Sequence, residues 1–417
     1  MKKIVLFAAL FCSLATATAA NSEQQHPFNA FLEKMQGLAQ QVYDSQAKKD
    51  TAQIVEKNYK AINFIESNRE TLTKYLSNRQ FNSMKNTFYY DLACINSRQG
   101  NIEAAIYNLS QAAICDYGDW KHIIEDHDLD NIRSDERFKV IFDDIRSRFD
   151  FPTILKQAAP YTRNERRDTL PSFSYQSASD PNLKRVREYF RLDSVAGNGD
   201  EISKIKNVLT YIHNLIRHDG QHENPIHLNS IDMAEACKDG SRGLNCRGLA
   251  IVLAECYLSM GIPARYVTCF PKEYIDDCHV INVVWSSQLK KWLWVDPTFN
   301  AWVTDENGQM LSIQEVRERL RDDRPLVLND DANWNNTSKQ TVDYYLREYM
   351  TKNLYYVSVS TNQEFGVEDP DVAGYPHFVD LMPTGFIGDS RHLLIVNDDE
   401  WFWQAPRQTI APNRSSE

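Results

Sequence analysis

The sequence predicts an α+β protein built in sections, and three observations carry that prediction. Residues 28–150 keep apolar side chains at three- and four-residue spacing through long stretches without proline, the period of amphipathic helices. Three runs rich in β-branched and aromatic residues, Arg265 to Phe270, His279 to Trp285 and Lys291 to Asp296, read as strands. A helical pattern from Leu249 to Met260, stopped by Gly261 with Pro263 just beyond, stands directly before them.

The chain has 417 residues, 42% hydrophobic and 25% charged, enough to bury sizeable cores and too apolar for general disorder. Lys plus Arg number 46 against 57 Asp plus Glu, and a net charge of -11 excludes a general binder of phosphate backbones, so no nucleic-acid partner is expected. Beyond the N-terminus no uninterrupted apolar run reaches the about 20 residues of a membrane-spanning helix.

Lys2 and Lys3, the apolar stretch Ile4 to Leu14 and the small residues Ala17-Thr18-Ala19 describe a bacterial-type secretory signal peptide over residues 1–20. The expectation is cleavage near Ala19 or Ala20 and export to a periplasm or beyond. A membrane anchor would be longer, and Phe11 directly before Cys12 fits a lipidation site poorly. Cysteines Cys94, Cys115, Cys237, Cys246, Cys256, Cys269 and Cys278 follow, an odd number that cannot pair fully within one chain. Cys94 and Cys115 are one candidate pair, and a set of buried reduced thiols is the alternative.

Taken in order, residues 21–150 form an α-helical domain. Within it Tyr89, Leu92, Ala93, Gly100, Ala105, Leu109 and Ala112 hold the spacing of a close helix pair. That pair resembles one tetratricopeptide repeat, from which Asn96 and Tyr117 depart, and a TPR-like domain of this kind is a candidate surface for a protein partner. Pro152, Pro160, Arg163 to Arg167, Pro171 and Pro181 make residues 151–185 a linker or wrapping segment. Residues 186–345 form a core that opens with a helix carrying Ile202, Ile205, Val208, Leu209, Ile212 and Leu215 and ended by His218-Asp219-Gly220. Residues 346–417 form a β-rich segment, with strand-like runs at 354–359 and 392–396 and turns at Gly385 and Gly388.

Asn245-Cys246-Arg247-Gly248 places Cys246 at the start of a helix, where unpaired backbone N–H groups and the positive end of the dipole favour a thiolate and can stabilise an oxyanion. The two following runs read as a hairpin. A turn centred between Ser287 and Gln288 sets His279 opposite Asp296 and Trp285 opposite Lys290. His279, Ile281, Val283 and Trp285 then share a face with Trp292, Trp294 and Asp296, whereas a one-residue slip would part the imidazole from the carboxylate. A thiol, a base and an orienting carboxylate are the parts of nucleophilic acyl transfer.

Asn-Cys-Arg-Gly-Leu-Ala, Gly-Ile-Pro-Ala-Arg-Tyr-Val, Asp-Cys-His-Val-Ile-Asn-Val-Val-Trp and Trp-Val-Asp-Pro-Thr-Phe occur in that order, and together they resemble the papain-related, transglutaminase-like superfamily core. The likeness runs from about Ile202 to about Leu320. It implies a core with an antiparallel sheet, Cys246 as nucleophile, His279 as base and Asp296 as the residue that orients it. It also implies an upstream side chain that completes the oxyanion site, for which Gln221 and His218 are the positional candidates.

Each signal has a plainer reading. Cys246 alone could be a structural thiol, His279 an ordinary strand histidine, and Asp296 before Pro297 a turn cap; their coincidence favours chemistry. His213, His218, His222 and His227 fit no strong zinc spacing, so no metal and no cofactor are expected. Trp292, Trp294 and Trp302 could line a groove, although aromatics alternating on a strand are more often core. Asp322-Asp323 and Asp398-Asp399-Glu400 read as solvated faces. The expected activity is cysteine-dependent acyl transfer at amide bonds of a peptide, protein or glycopeptide, as a hydrolase, since nothing marks an amine tunnel or a calcium site. The alternatives are an inactive peptide- or glycan-binding protein using the same groove, and a protein cross-linking transglutaminase.

Overall fold

The computed structural model describes residues 26–48, 50–162, 167–273, 277–371, 376–388 and 394–406. The proposed signal peptide, Cys12 included, lies outside the described residues, and so does Arg163–Arg166. The chain divides into two compact units, Met1–Asp150 and Phe151–Glu417.

The first unit is helical: α1 (His26–Ala47), α2 (Thr51–Ser67), α3 (Asn86–Arg98), α4 (Ile102–Ile114) and α5 (Glu136–Phe149), with shorter helical turns between them. Phe28, Phe31, Met35, Leu38 and Val42 form one buried stripe of α1 that packs with Ile62 and Ile65 of α2. Helices α3 and α4 form the tight pair expected from the spacing: Ala93, Ala105 and Ala112 are buried where they meet, and Gly100 turns the chain at φ +75°. The candidate pairing of Cys94 with Cys115 does not occur, and no disulfide joins the described cysteines. Cys94 instead turns its sulfur to Asp126 Oδ2 at 3.6 Å.

The second unit begins with the segment expected to be a linker or to wrap the core. Helix α6 (Phe151–Gln157) carries Pro152 in its first turn, and α7 (Pro181–Tyr189) begins with Pro181 behind the N-cap Asp180. Proline in a first turn lacks only an N–H that would have no helical partner anyway, so here these residues start helices instead of breaking them. Leu155, Phe173 and Leu183 are buried in the core of this unit, which makes residues 151–185 part of it.

Helix α8 (Glu201–Leu215) and helix α9 (Cys246–Ser259) follow, and every residue of α9 from Gly248 to Ser259 is buried. A helix apolar on nearly all sides belongs in an interior. Strands β1 (Ala264–Phe270), β2 (His279–Ser286) and β3 (Lys291–Val295) come next, then α10 (Ile313–Arg321) and a π-helix at Val342–Met350. Strands β4 (Tyr356–Ser360), β5 (Phe378–Leu381) and β6 (Leu394–Val396) complete one six-stranded sheet in the order β6-β5-β4-β1-β2-β3, antiparallel except for β5 and β6. The C-terminal strands therefore extend the core sheet: β4 pairs with β1 through Thr268 and Ser358. Of the second acidic run, Asp398 is buried, caps the turn at Trp401 and holds both oxygens to Arg167 at 2.5 and 2.7 Å, so it is no solvated face.

Candidate active site

Three short pieces of backbone hold Cys246. Asn245 caps α9 by accepting from Gly248 N–H at 3.1 Å, and Asn224 braces that cap by donating to Asn245 Oδ1 (2.8 Å) and accepting from Asn245 N–H (3.0 Å). Residues 217–219 run parallel to 243–245: Asp219 N–H donates to Leu244 O at 2.7 Å and Leu244 N–H to Arg217 O at 3.2 Å. That approach requires Gly243, where a Cβ would collide with the Arg217 carbonyl, just as one on Gly248 would meet Asn224 Oδ1 at 2.7 Å. The result sets His218 beside the helix start that carries Cys246.

The hairpin register differs from the expected one. Trp285 pairs with Trp292 and Ser286 with Lys291, so the turn is centred one residue later and His279 lies diagonal to Asp296, not opposite it. The cause lies outside the hairpin. Glu201, at the start of α8, accepts from Ser287 N–H (2.9 Å), Ser287 Oγ (2.6 Å), Gln288 N–H (3.0 Å) and Ser286 Oγ (2.5 Å), which holds a wider loop closed by Lys290 at φ +55°. Each residue is paired two positions further along its partner strand, and a two-residue change restores the same faces. The side chains still meet: His279 Nε2 lies 2.7 Å from Asp296 Oδ2, with both residues almost wholly buried.

Asp296 is held from three sides. Besides His279, Tyr345 donates its hydroxyl to Oδ2 at 2.6 Å, and Thr298 N–H donates to Oδ1 at 2.8 Å. The rings of Phe299 and Tyr349 pack on His279, with centroids 5.5 and 5.2 Å away. With Nε2 on the carboxylate, Nδ1 is the ring nitrogen left for the sulfur. Burial pushes the half-buried Cys246 thiol up, but hydrogen bonds from His218 and His279, the charge on His279 and the Val280 N–H together bring it down to about 6. Burial pushes His279 down, and the charge and hydrogen bond of Asp296, reinforced by Cys246, overcome it and raise it to about 10. Between those values sulfur is a thiolate and imidazole a cation.

Of the two upstream candidates, only His218 reaches the sulfur. Its Nδ1 accepts from Trp334 Nε1 at 3.1 Å, which leaves the proton on Nε2. Asn335 clamps its backbone, accepting from His218 N–H at 2.6 Å and donating to His218 O at 3.0 Å. Gln221 is exposed and bonds Asp219 only through its backbone N–H, at 3.2 Å.

The four histidines do not converge. His213 is buried between Pro297 O (2.9 Å) and Asn333 Oδ1 (3.0 Å), and His222 faces Asp219 at 3.0 Å. His227 lies near Asp369 and Asp371, and these three, like Cys94, Asp126 and Asp128 in the first unit, bring ligand atoms within 4.8 Å of one another. Hydrogen bonds already engage the central carboxylate of each group: Tyr90 donates to Asp126 Oδ2 at 2.9 Å, and Asn229 Nδ2 to Asp369 Oδ2 at 2.9 Å. Trp292 and Trp294 are core, as the strand pattern favours, and Trp302 is half-buried. Trp334, Asn335, Asn224 and Tyr345 were not singled out in the sequence; an Asn-Asn pair marks a turn, but nothing local says that it grips a histidine.

Residues 190–297 match the family model of the transglutaminase-like superfamily. Among solved structures, the chain is similar to a "Putative Cysteine Protease" from Cytophaga hutchinsonii, at 16% identity and a TM-score of 0.22, over 43% of this chain and 59% of that one. The chain thus spans less than two thirds of that protein. No curated protein matches the chain.

Proposed function

We propose that this chain, with a transglutaminase-like match over 190–297, is an exported cysteine-dependent hydrolase of amide bonds in peptides or proteins. The observation that carries the reading is the meeting of the Cys246 thiol with two imidazoles, one of them anchored by a buried carboxylate 2.7 Å away.

In this reading the Cys246 thiolate adds to the amide carbonyl. The oxyanion that forms faces the first backbone N–H groups of α9, which have no helical acceptor, and the Nε2–H of His218. Trp334 occupies Nδ1 of His218, so the ring presents its Nε2–H to the developing negative charge. His279, as imidazolium, delivers its proton to the departing amine, and Asp296 keeps the ring aimed. Water, activated by the now neutral His279, then attacks the thioester and frees the acid and the enzyme. The charged, apolar and small-residue sections of residues 1–20 support export.

The test is incubation with denatured casein in the presence of dansylcadaverine, a fluorescent primary amine. The wild-type chain produces new peptide termini without amine incorporation, and Cys246→Ala produces none. Incorporation of the amine would reassign the chain to cross-linking, and binding of casein unchanged by Cys246→Ala, without turnover, would reassign it to a binding protein.

A further inference from the structure

We infer that Tyr345, delivered by the π-helix Val342–Met350 from beyond the matched segment, is a positioning residue that fixes Asp296 and through it the charge state of Cys246. The inference rests on the catalytic reading above.

Asp296 has no exposed surface, so donors must stand in for water around its carboxylate. His279 and Thr298 belong to the hairpin and the turn that follows it. Tyr345 comes from a different element and shares Oδ2 with His279, at 2.6 Å against 2.7 Å. Its hydroxyl hydrogen is directed: Trp294 Nε1, which can only donate, points at the phenol oxygen from 3.2 Å. The phenol therefore accepts from Trp294 and donates to Asp296, which leaves one orientation for the carboxylate.

The π-helix explains how one segment reaches both members of the pair. In its widened turns residues four apart lie on nearly one side, and Tyr345 and Tyr349 are four apart. Tyr345 holds Asp296 while the ring of Tyr349 packs against His279 at 5.2 Å, and Phe299 fills the space between them at 5.0 and 5.9 Å. Such segments are rare and are found at functional sites more often than elsewhere.

Removing the hydroxyl takes a positive dipole away from the anionic side of the site and loosens the carboxylate, and both changes make the thiolate harder to form. The experiment follows alkylation of Cys246 by iodoacetamide across pH, resolved by peptide mass spectrometry, in the wild-type chain and in Tyr345→Phe. The wild type shows a midpoint near 6. Tyr345→Phe raises the midpoint by about one pH unit, a roughly tenfold loss of thiolate below it. Replacing Tyr345 with a ring-fluorinated tyrosine, a stronger donor of the same shape, moves the midpoint down, and it serves where Tyr345→Phe does not fold. A low wild-type midpoint that neither folded variant moves overturns the role of Tyr345 alone. A wild-type midpoint in the ordinary thiol range overturns the catalytic reading and this inference with it.

Discussion

At the scale of single residues, the site is a balance between burial and hydrogen bonding. Burial alone would keep the Cys246 thiol protonated and the His279 ring neutral, and the neighbouring donors and charges reverse both tendencies. The pH dependence follows. Thiolate is lost as pH falls through about 6, and the imidazolium that would protonate the leaving amine in the proposed mechanism is lost as pH rises through about 10. Hydrolysis should therefore hold a plateau between those values and fall on both sides, which a pH–rate profile checks; a peak with an alkaline limb near pH 7 would contradict the pairing. His218→Ala removes one donor of the proposed oxyanion site and should cost about a hundredfold in kcat, with the folded structure intact by circular dichroism. An unchanged kcat would leave the backbone donors of α9 as the whole oxyanion site.

At the scale of elements, the strands and helices act as rulers. Gly243→Ala pushes a methyl group into the Arg217 carbonyl, opens the bridge that sets His218 beside Leu244, and should cost about 1–3 kcal/mol, together with much of the Cys246 reactivity. Gly248→Ala meets the amide of Asn224, which can move only by giving up its two hydrogen bonds to Asn245, so it too should lower the temperature of thermal unfolding. Much of this layer was legible in the sequence. The start of α9 at Cys246 follows from Asn245 before an apolar run, and the shared face of His279 and Asp296 follows from the two-residue period of strands. What was not legible depends on distant partners. The hairpin turn lies one residue later because Glu201, more than 80 residues earlier, caps its loop, and the residues after Pro152 lie in the core because a proline in a first turn starts a helix as readily as proline elsewhere breaks one. Tyr345 shows the same limit: its amphipathic surroundings predict burial, but only the fold shows what it is buried against.

At the scale of the whole molecule, among the described residues the groups named above as touching Cys246, His279 or Asp296 come from Phe151–Glu417, and the two units have separate clusters of buried residues. A chain beginning at Phe151 should keep the alkylation profile of Cys246. Loss of that profile in a folded fragment would show that the helical unit shapes the site. The C-terminal part is tied in by a buried cation. Arg265 lies among Phe173, Tyr175 and Trp292 and donates to Tyr175 Oη at 2.7 Å and to Phe402 O at 2.6 Å. Arg265→Met leaves those acceptors buried without a donor and should lower stability by about 3 kcal/mol in denaturant titration.

The claim on which the rest stands is that Cys246 is ionised when ordinary thiols are not. Site-resolved alkylation of the seven described cysteines at pH 7 compares them within one sample. The account predicts that Cys246 reacts far ahead of the others and that His279→Ala erases its lead. Equal labelling of Cys246 and Cys278, the two half-buried thiols, would contradict it.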